Sequence, residues 1–244
     1  MENIYEACSL RNPDYKRIWI IGAGAFGRET LGLIRDVQAH QGTALPVAGF
    51  LDNHLAAREQ ETLALLGEAG RNLKIRPQAD YLPQEGDAFL TGLGKPENKA
   101  LLLPPLAAKG ARFISFLHPT AVMGLNNRLG LGCHFAPFSM CTANITFGDF
   151  VSVYAYALVA NDTVIGDFAT LMTRSFVGSY GVVGPGASLN TGATVNDHVR
   201  IGENAVIGMN STVLRGAAAN CTYFGSPAVK IGPMNHNQLT ADSP

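Results

Sequence analysis

Charge is scarce in this chain: Asp, Glu, Lys and Arg make up 15% of 244 residues, and 18 basic against 19 acidic side chains leave a net charge of −1. There is no basic stripe to neutralise a row of phosphates, so no nucleic-acid partner is expected. The four cysteines, Cys8, Cys133, Cys141 and Cys221, form neither a CxxC pair nor a disulfide framework, which points to reduced thiols. Met1-Glu-Asn-Ile-Tyr-Glu6 lacks the basic and then apolar segments of a secretion leader. No apolar run nears the ~20 residues that cross a bilayer. A cytoplasmic protein with no membrane partner is expected. At 47% hydrophobic residues and so little charge, extensive buried surface is expected, part of it between subunits.

What is present is a period of six. Every sixth residue from Met123 through Leu129, Phe135, Cys141, Phe147 and onward to Val213 and Ala219 is apolar, without a slip in register. By chance such a run arises on the order of a few times in a million. A second column two residues earlier, from Ala121 to Ala217, is mostly small. Gly or Asn follows many of the apolar positions (Gly124, Gly130, Gly148, Gly166, Gly178, Gly184, Gly202, Gly208, Asn190, Asn196, Asn220), and positive φ is expected there. Each hexad thus supplies a short strand and a corner. One turn cannot bury its own face, whereas stacked turns can. Any site on such a prism must be made from corner residues.

Ahead of the repeat, Arg17–Ile21 reads as a buried strand, followed at once by Gly22-Ala-Gly-Ala-Phe-Gly27 and by helical spacing from Arg28 to Ala39. A GxGxxG turn between strand and helix lets a ligand approach the amides at a helix N-terminus. Val47–Leu51 reads as a second strand ending at Asp52 and Asn53, where an acidic group meets a ribose or base. Three strand–helix units fit, over 17–39, 46–70 and 87–109, followed by a strand over 112–116. That is half of a full dinucleotide fold. Nicotinamide dinucleotide, another nucleotide or nucleotide-sugar, and a purely structural turn remain open readings, the second favoured over the first.

Taken together, Ile20–Glu29, Ala48–Asn53, His118-Pro-Thr-Ala121, the hexads and Gly225-Ser-Pro-Ala-Val-Lys230 resemble the hexapeptide-repeat acyltransferases of the sialic acid O-acetyltransferase and nucleotide-sugar N-acetyltransferase family. The resemblance covers about residues 17–232. It implies an α/β, Rossmann-like N-terminal domain (17–116) behind an extension (1–16). A left-handed parallel β-helix (117–224) with three hexads per coil and a C-terminal segment (225–244) would follow. It also implies a homotrimer with sites in the grooves between adjacent helices. The donor would be acetyl-CoA or another acyl-CoA, with no metal. The acceptor would be a small molecule, possibly a nucleotide-sugar, held by Gly22, Gly24, Phe26, Gly27, Asp52 and Asn53.

The chain departs from that pattern where chemistry is expected. At the position of the family's histidine base stands Asn161, whose carboxamide accepts no proton at neutral pH but would orient the acceptor or donate to the oxyanion. Asp162 beside it is the other catalytic candidate, a weak base as a solvated carboxylate. The front turn carries Ala25-Phe26-Gly27 where the family has glycine-histidine-glycine. A second histidine position is Thr170, and an expected glycine is Ser179. Acyl-CoA contacts fall on Thr170, Gly178 and Ser179, the latter two through backbone amides, and on Arg215 and Lys230 for phosphates. His134 and His198 lie 64 residues apart, not a multiple of 18, so they build no zinc site together; structural use of His118 and a surface place for His198 are favoured. An amine can attack uncharged and lose its proton later, whereas an alcohol cannot, so the missing base points to N-acylation. The other reading is a non-catalytic descendant that binds ligand or organises an assembly.

Overall fold

The computed structural model describes residues 15–42 and 44–233. Cys8, His236, residues 1–14 of the expected N-terminal extension and residues 234–244 of the expected C-terminal segment lie outside the described residues. Strands β1 (Arg17–Ile21), β2 (Val47–Leu51), β3 (Lys74–Arg76) and β4 (Asp87–Thr91) form a parallel sheet in the order β3-β2-β1-β4. Helix α1 (Ala25–Gln41) lays Leu31, Ile34 and Val37 on one face, against Ile18 and Ile20. In the second strand–helix unit the expected single helix is broken into a 3-10 turn, a short helix α2 (Glu59–Ala64) and another 3-10 turn. Helix α3 (Pro96–Ala108) covers the other face through Leu103 and Leu106, beside Trp19, Ile21 and Phe89. Strand β3 was not foreseen. The strand expected over 112–116 is a single bridge, Phe89 to Phe113, and Phe116–Leu117 already belongs to the repeat.

The hexads wind into a parallel solenoid of three faces. Paired strands are 18 residues apart, as in Ser152 with Thr170, Leu158 with Phe176 and Val164 with Val182, so one coil is three hexads. Face one runs from Phe116–Leu117 through His134–Phe135, Ser152–Val153, Thr170–Leu171, Ser188–Leu189 and Val206–Ile207 to the C-terminal hairpin of Cys221–Phe224 and Val229–Pro233. Face two begins at Val122–Met123 and ends at Thr212–Val213; face three begins at Thr146–Phe147 and ends at Arg200–Ile201. The six-residue apolar column is buried except for Leu129, which is partly covered, and Ala219, which is exposed at the last coil. At roughly 1.5–3 kcal/mol for each fully buried large side chain, this column is the principal source of solenoid stability.

The corner geometry corrects one expectation. Positive φ occurs three residues after the apolar position, at Asn126, Phe138, Asn144, Phe150, Tyr156, Asp162, Phe168, Arg174, Tyr180, His198, Asn204 and Asn210. Of the positions where it was expected, Asn220 alone has it. The glycines that follow the apolar column serve close approach instead. A Cβ on Gly166 would lie 2.5 Å from the Pro185 nitrogen, and one on Gly178 would lie 2.6 Å from the Asp197 nitrogen. The left-handed residues stack outside the prism, as with Phe150 and Phe168 (5.7 Å, 11°) and Tyr180 and His198 (4.7 Å, 7°).

The α/β layer rests on face one. Lys99 of α3 is fully buried, and its ammonium donates to Phe150 O at 2.9 Å, Ala169 O at 3.1 Å and Ser152 Oγ at 3.2 Å. His118, also buried, bridges Asp36 of α1 and Thr120, each at 2.9 Å, a structural use. Cys133, Cys141 and Cys221 are buried thiols.

Candidate functional site

Two places carry the residues singled out from the sequence. The first is the crevice where strand order reverses, between the carboxyl ends of β1 and β4, which is where open parallel sheets take ligands. Gly22 (φ 92°) makes the turn, and a Cβ on Gly27 would sit 1.9 Å from Gly22 O, so α1 can press onto the turn only with glycine there. Gly24 faces open space and caps α1. Phe26 reaches across to the β4 side: its ring lies 5.2 Å from the Tyr154 ring, and a Cβ on Gly94 would come within 2.2 Å of it. Below it a cavity of about 220 Å³ is lined by Phe26, Gly94–Glu97 and, from the solenoid, Met172, Ser188 and Asn190 among others.

Asp52 is placed at this crevice but its carboxylate is already in use. Oδ2 accepts the Ala23 amide, and Oδ1 accepts those of His54 and Leu55, all at 2.9 Å. It therefore fixes the turn rather than offering an open carboxylate. Asn53 accepts the Ala79 amide and is likewise committed to the backbone.

The second place is the corner joining faces two and three. Asn161 is exposed there, and its Oδ1 accepts the Ala143 amide of the preceding coil at 3.0 Å. Asp149, Asp167 and Asp197 do the same at equivalent positions, toward Leu131, Asp149 and Ser179. With its oxygen so engaged, the Asn161 amide nitrogen is the end left facing outward as a donor. Asp162, half-buried, accepts from Asn144 Nδ2 at 3.1 Å. One coil on, Ser179 donates its amide to Asp197 and Gly178 donates its own to Val195 O, so neither amide is open in the corner, contrary to the sequence expectation. Arg215 is exposed on the same corner, 54 residues (three coils) past Asn161. Lys230 is exposed on the C-terminal hairpin.

Thr170 lies away from that corner, on the crevice side. It is buried on face one, where its hydroxyl donates to Gly94 O at 3.1 Å. The two places thus stand on opposite sides of one prism, because the corner between faces two and three is the one that face one does not touch.

Sequence reasoning missed what lies between the layers. Phe116, His134 and Tyr154 stack in turn toward Phe26 (4.9 Å and 6.0 Å between the first three). Burial, then the charge on Lys99 and His118, drives the His134 imidazole down to about 4, so it is neutral at pH 7. Burial also raises the Tyr154 phenol. Burial lowers the Lys99 ammonium to about 7. A partial signal was available at a spacing of 18: outward residues of face one run Phe116, His134, Ser152, Thr170, Ser188, Val206, polar in the middle coils, whereas those of face two run Val122, Met140, Leu158, Phe176 before turning to Thr194 and Thr212. Among the described residues no group of three or more His, Cys, Asp or Glu is placed to hold a metal, and no helix is long and apolar enough to cross a membrane.

No protein-family model matches the chain, and no curated protein does. Solved structures do. PerB from Caulobacter crescentus, in complex with CoA and GDP-perosamine, is 23% identical with a TM-score of 0.73 over 88% of this chain and 97% of its own. WeeI from Acinetobacter baumannii AYE is 22% identical with a TM-score of 0.65, over 88% and 99%. A perosamine N-acetyltransferase mutant from Caulobacter crescentus, in which a histidine is replaced by asparagine, also in complex with CoA and GDP-perosamine, is 21% identical with a TM-score of 0.58, over 88% and 96%. At these identities what is shared is the fold.

Proposed function

We propose that the protein is an acyl-CoA-dependent N-acyltransferase that acetylates an amino sugar carried on a nucleotide, working in the cytoplasm as a homotrimer. In this reading 17–116 is a Rossmann-like domain, 117–224 a left-handed β-helix, and 1–16 and 225–244 its end segments. The observation that carries it is the pairing of a switch-point crevice with a prism corner in a fold shared with enzymes crystallised with CoA and GDP-perosamine. Because the crevice and Asn161 lie on opposite sides of one chain, a complete site needs the crevice of one copy facing the corner of another. Face two supplies an apolar surface for such packing, with Val122 49% and Met140 40% exposed.

The chemistry follows from the groups at the corner. The lone pair of an uncharged acceptor amine attacks the thioester carbonyl; the C–N bond forms, the C–S bond breaks, and CoA leaves as thiolate. The ammonium proton then passes to that thiolate through solvent. Asn161 Nδ2 donates to the oxyanion, held in place because its Oδ1 is bound to the Ala143 amide. Gly22, Gly24, Phe26 and Gly27 border the nucleotide, and Arg215 and Lys230 meet CoA phosphates. The cavity beside Phe26, at about 220 Å³, takes one moiety of such a ligand rather than the whole.

Purified protein given acetyl-CoA and a panel of nucleotide-linked amino sugars is expected to release free thiol with one of them; no thiol from any and no CoA binding would sink the proposal. One observation favours the non-catalytic reading: Asn161 fills the same ladder position as Asp149, Asp167 and Asp197, a use that needs no reaction. Binding of both ligands without turnover is the outcome that selects it.

A further inference from the structure

Lys99 has no role in the chemistry just described, yet it is the most completely buried cation of the described residues, at 0% exposure. Its three N–H bonds meet three neutral acceptors of the solenoid, Phe150 O, Ala169 O and Ser152 Oγ, and no carboxylate shares them. Holding a charge in such a place is costly unless every donor is satisfied, and here the count closes. The lysine sits one turn into α3, directly behind Gly94–Glu97, the wall of the cavity. That wall has a second tie to the same face, from Thr170 to Gly94 O.

We propose that Lys99 is a positioning residue: by pinning the first turn of α3 to face one, it fixes the cavity wall opposite Phe26 and so governs affinity for the nucleotide portion of the acceptor without touching it. This rests on reading the cavity as part of the nucleotide site. Ser152 suits the task, since its hydroxyl can accept from the ammonium or donate to the neutral amine, keeping the contact in either protonation state. Cys133 and His134, at the start of a face-one strand, and Glu97, on the same turn, are the titratable groups whose charges act on or with the lysine.

The test compares the full-length protein with Lys99→Met, which fills the same channel with an apolar side chain of similar length. Hydrogen exchange at the amides of residues 97–103 is expected to rise about tenfold while amides of the solenoid strands stay protected. Calorimetry with GDP, UDP and dTDP as probes is expected to show about a tenfold loss for whichever the wild type binds, with CoA affinity unchanged. In turnover, KM for the acceptor rises and kcat stays. Unchanged exchange at 97–103, or undiminished nucleoside diphosphate binding, overturns the inference. If wild type binds none of the three probes, the functional reading falls, and the exchange result alone decides whether Lys99 pins the helix. Should Lys99→Met not fold, Ser152→Ala removes one acceptor and keeps the lysine; an exchange rate at 97–103 equal to wild type then overturns it.

Discussion

The carboxamide oxygen of Asn161 accepts the amide of Ala143, one coil earlier, at 3.0 Å. That bond separates two uses of the side chain, because aspartate can replace the acceptor but not the outward donor. Asn161→Asp is therefore expected to melt with wild type, as the native aspartates at 149, 167 and 197 show the position accepts a carboxylate. Its acyl transfer is expected to fall by roughly 10²–10³, the usual worth of one oxyanion donor. Thermal melts beside thiol-release rates check both halves; full activity in the variant would remove Asn161 from the mechanism.

Lys99 gives a pH dependence of stability with a definite sign. Burial lowers its pKa from 10.5 to about 7 in the folded chain. Between those values the unfolded state binds more protons than the folded one, so stability rises with pH across that window. Below about 7 both states are charged and the full burial penalty is present. Lys99→Met should flatten the slope between pH 7 and 10, since it removes the proton that the unfolded state binds and the folded state does not across this window. Urea unfolding at several pH values measures it.

Asp87 has the opposite sign. Burial alone would raise its carboxyl, but bonds from Arg17, Tyr81 and the Gln84 amide outweigh it and hold the group below the ordinary carboxylate value. The stabilisation is complete above the unfolded pKa of about 3.9 and is lost as pH falls through the lower folded value. Because Arg17 is 37% exposed, Asp87→Asn should cost only about 1–3 kcal/mol at pH 7. The difference from wild type should shrink in acid, as denaturation at pH 7 and pH 3 would reveal.

The solenoid was legible because a column such as Phe135–Cys141–Phe147 reports its period directly, with one side chain buried per hexad. The corners were half legible. Gly166 was read as conformational freedom, but its actual constraint is the backbone of the next coil, which no one-dimensional pattern displays. Aromatic residues at positive φ, such as Phe150 and Tyr156, run against propensity and are held by stacking on a ring of an adjacent coil, Phe168 and Phe138 respectively. Of the residues given roles in the proposed site, Phe26 and Asn161 were singled out from the sequence, whereas Lys99 was not. A lysine on a helix reads as surface until the face it enters is known.

Gly166→Ala tests the corner rule. Its Cβ would meet Pro185 at 2.5 Å from N and 2.8 Å from Cδ, atoms that cannot swing aside. A loss of about 1–3 kcal/mol is expected, from strain rather than from φ. Gly24→Ala, in open space, meets no atom and should cost only the poorer N-cap preference of alanine, about 0.5–1 kcal/mol.

At the crevice, Gly94 and Phe26 are expected to be energetically coupled. The ring of Phe26 lies where a Cβ on Gly94 would intrude at 2.2 Å, and Tyr154 stands 5.2 Å away across the ring. Gly94→Ala must displace that ring, and the ring has little room on the Tyr154 side. In a Phe26→Ala background the same methyl enters space already vacated. The double-mutant cycle should therefore give a coupling of about 1–2 kcal/mol, with the second substitution nearly free once the first is made. Additive losses would mean that the ring moves aside at no cost, and that the wall facing Phe26 is softer than the packing of Gly94 implies.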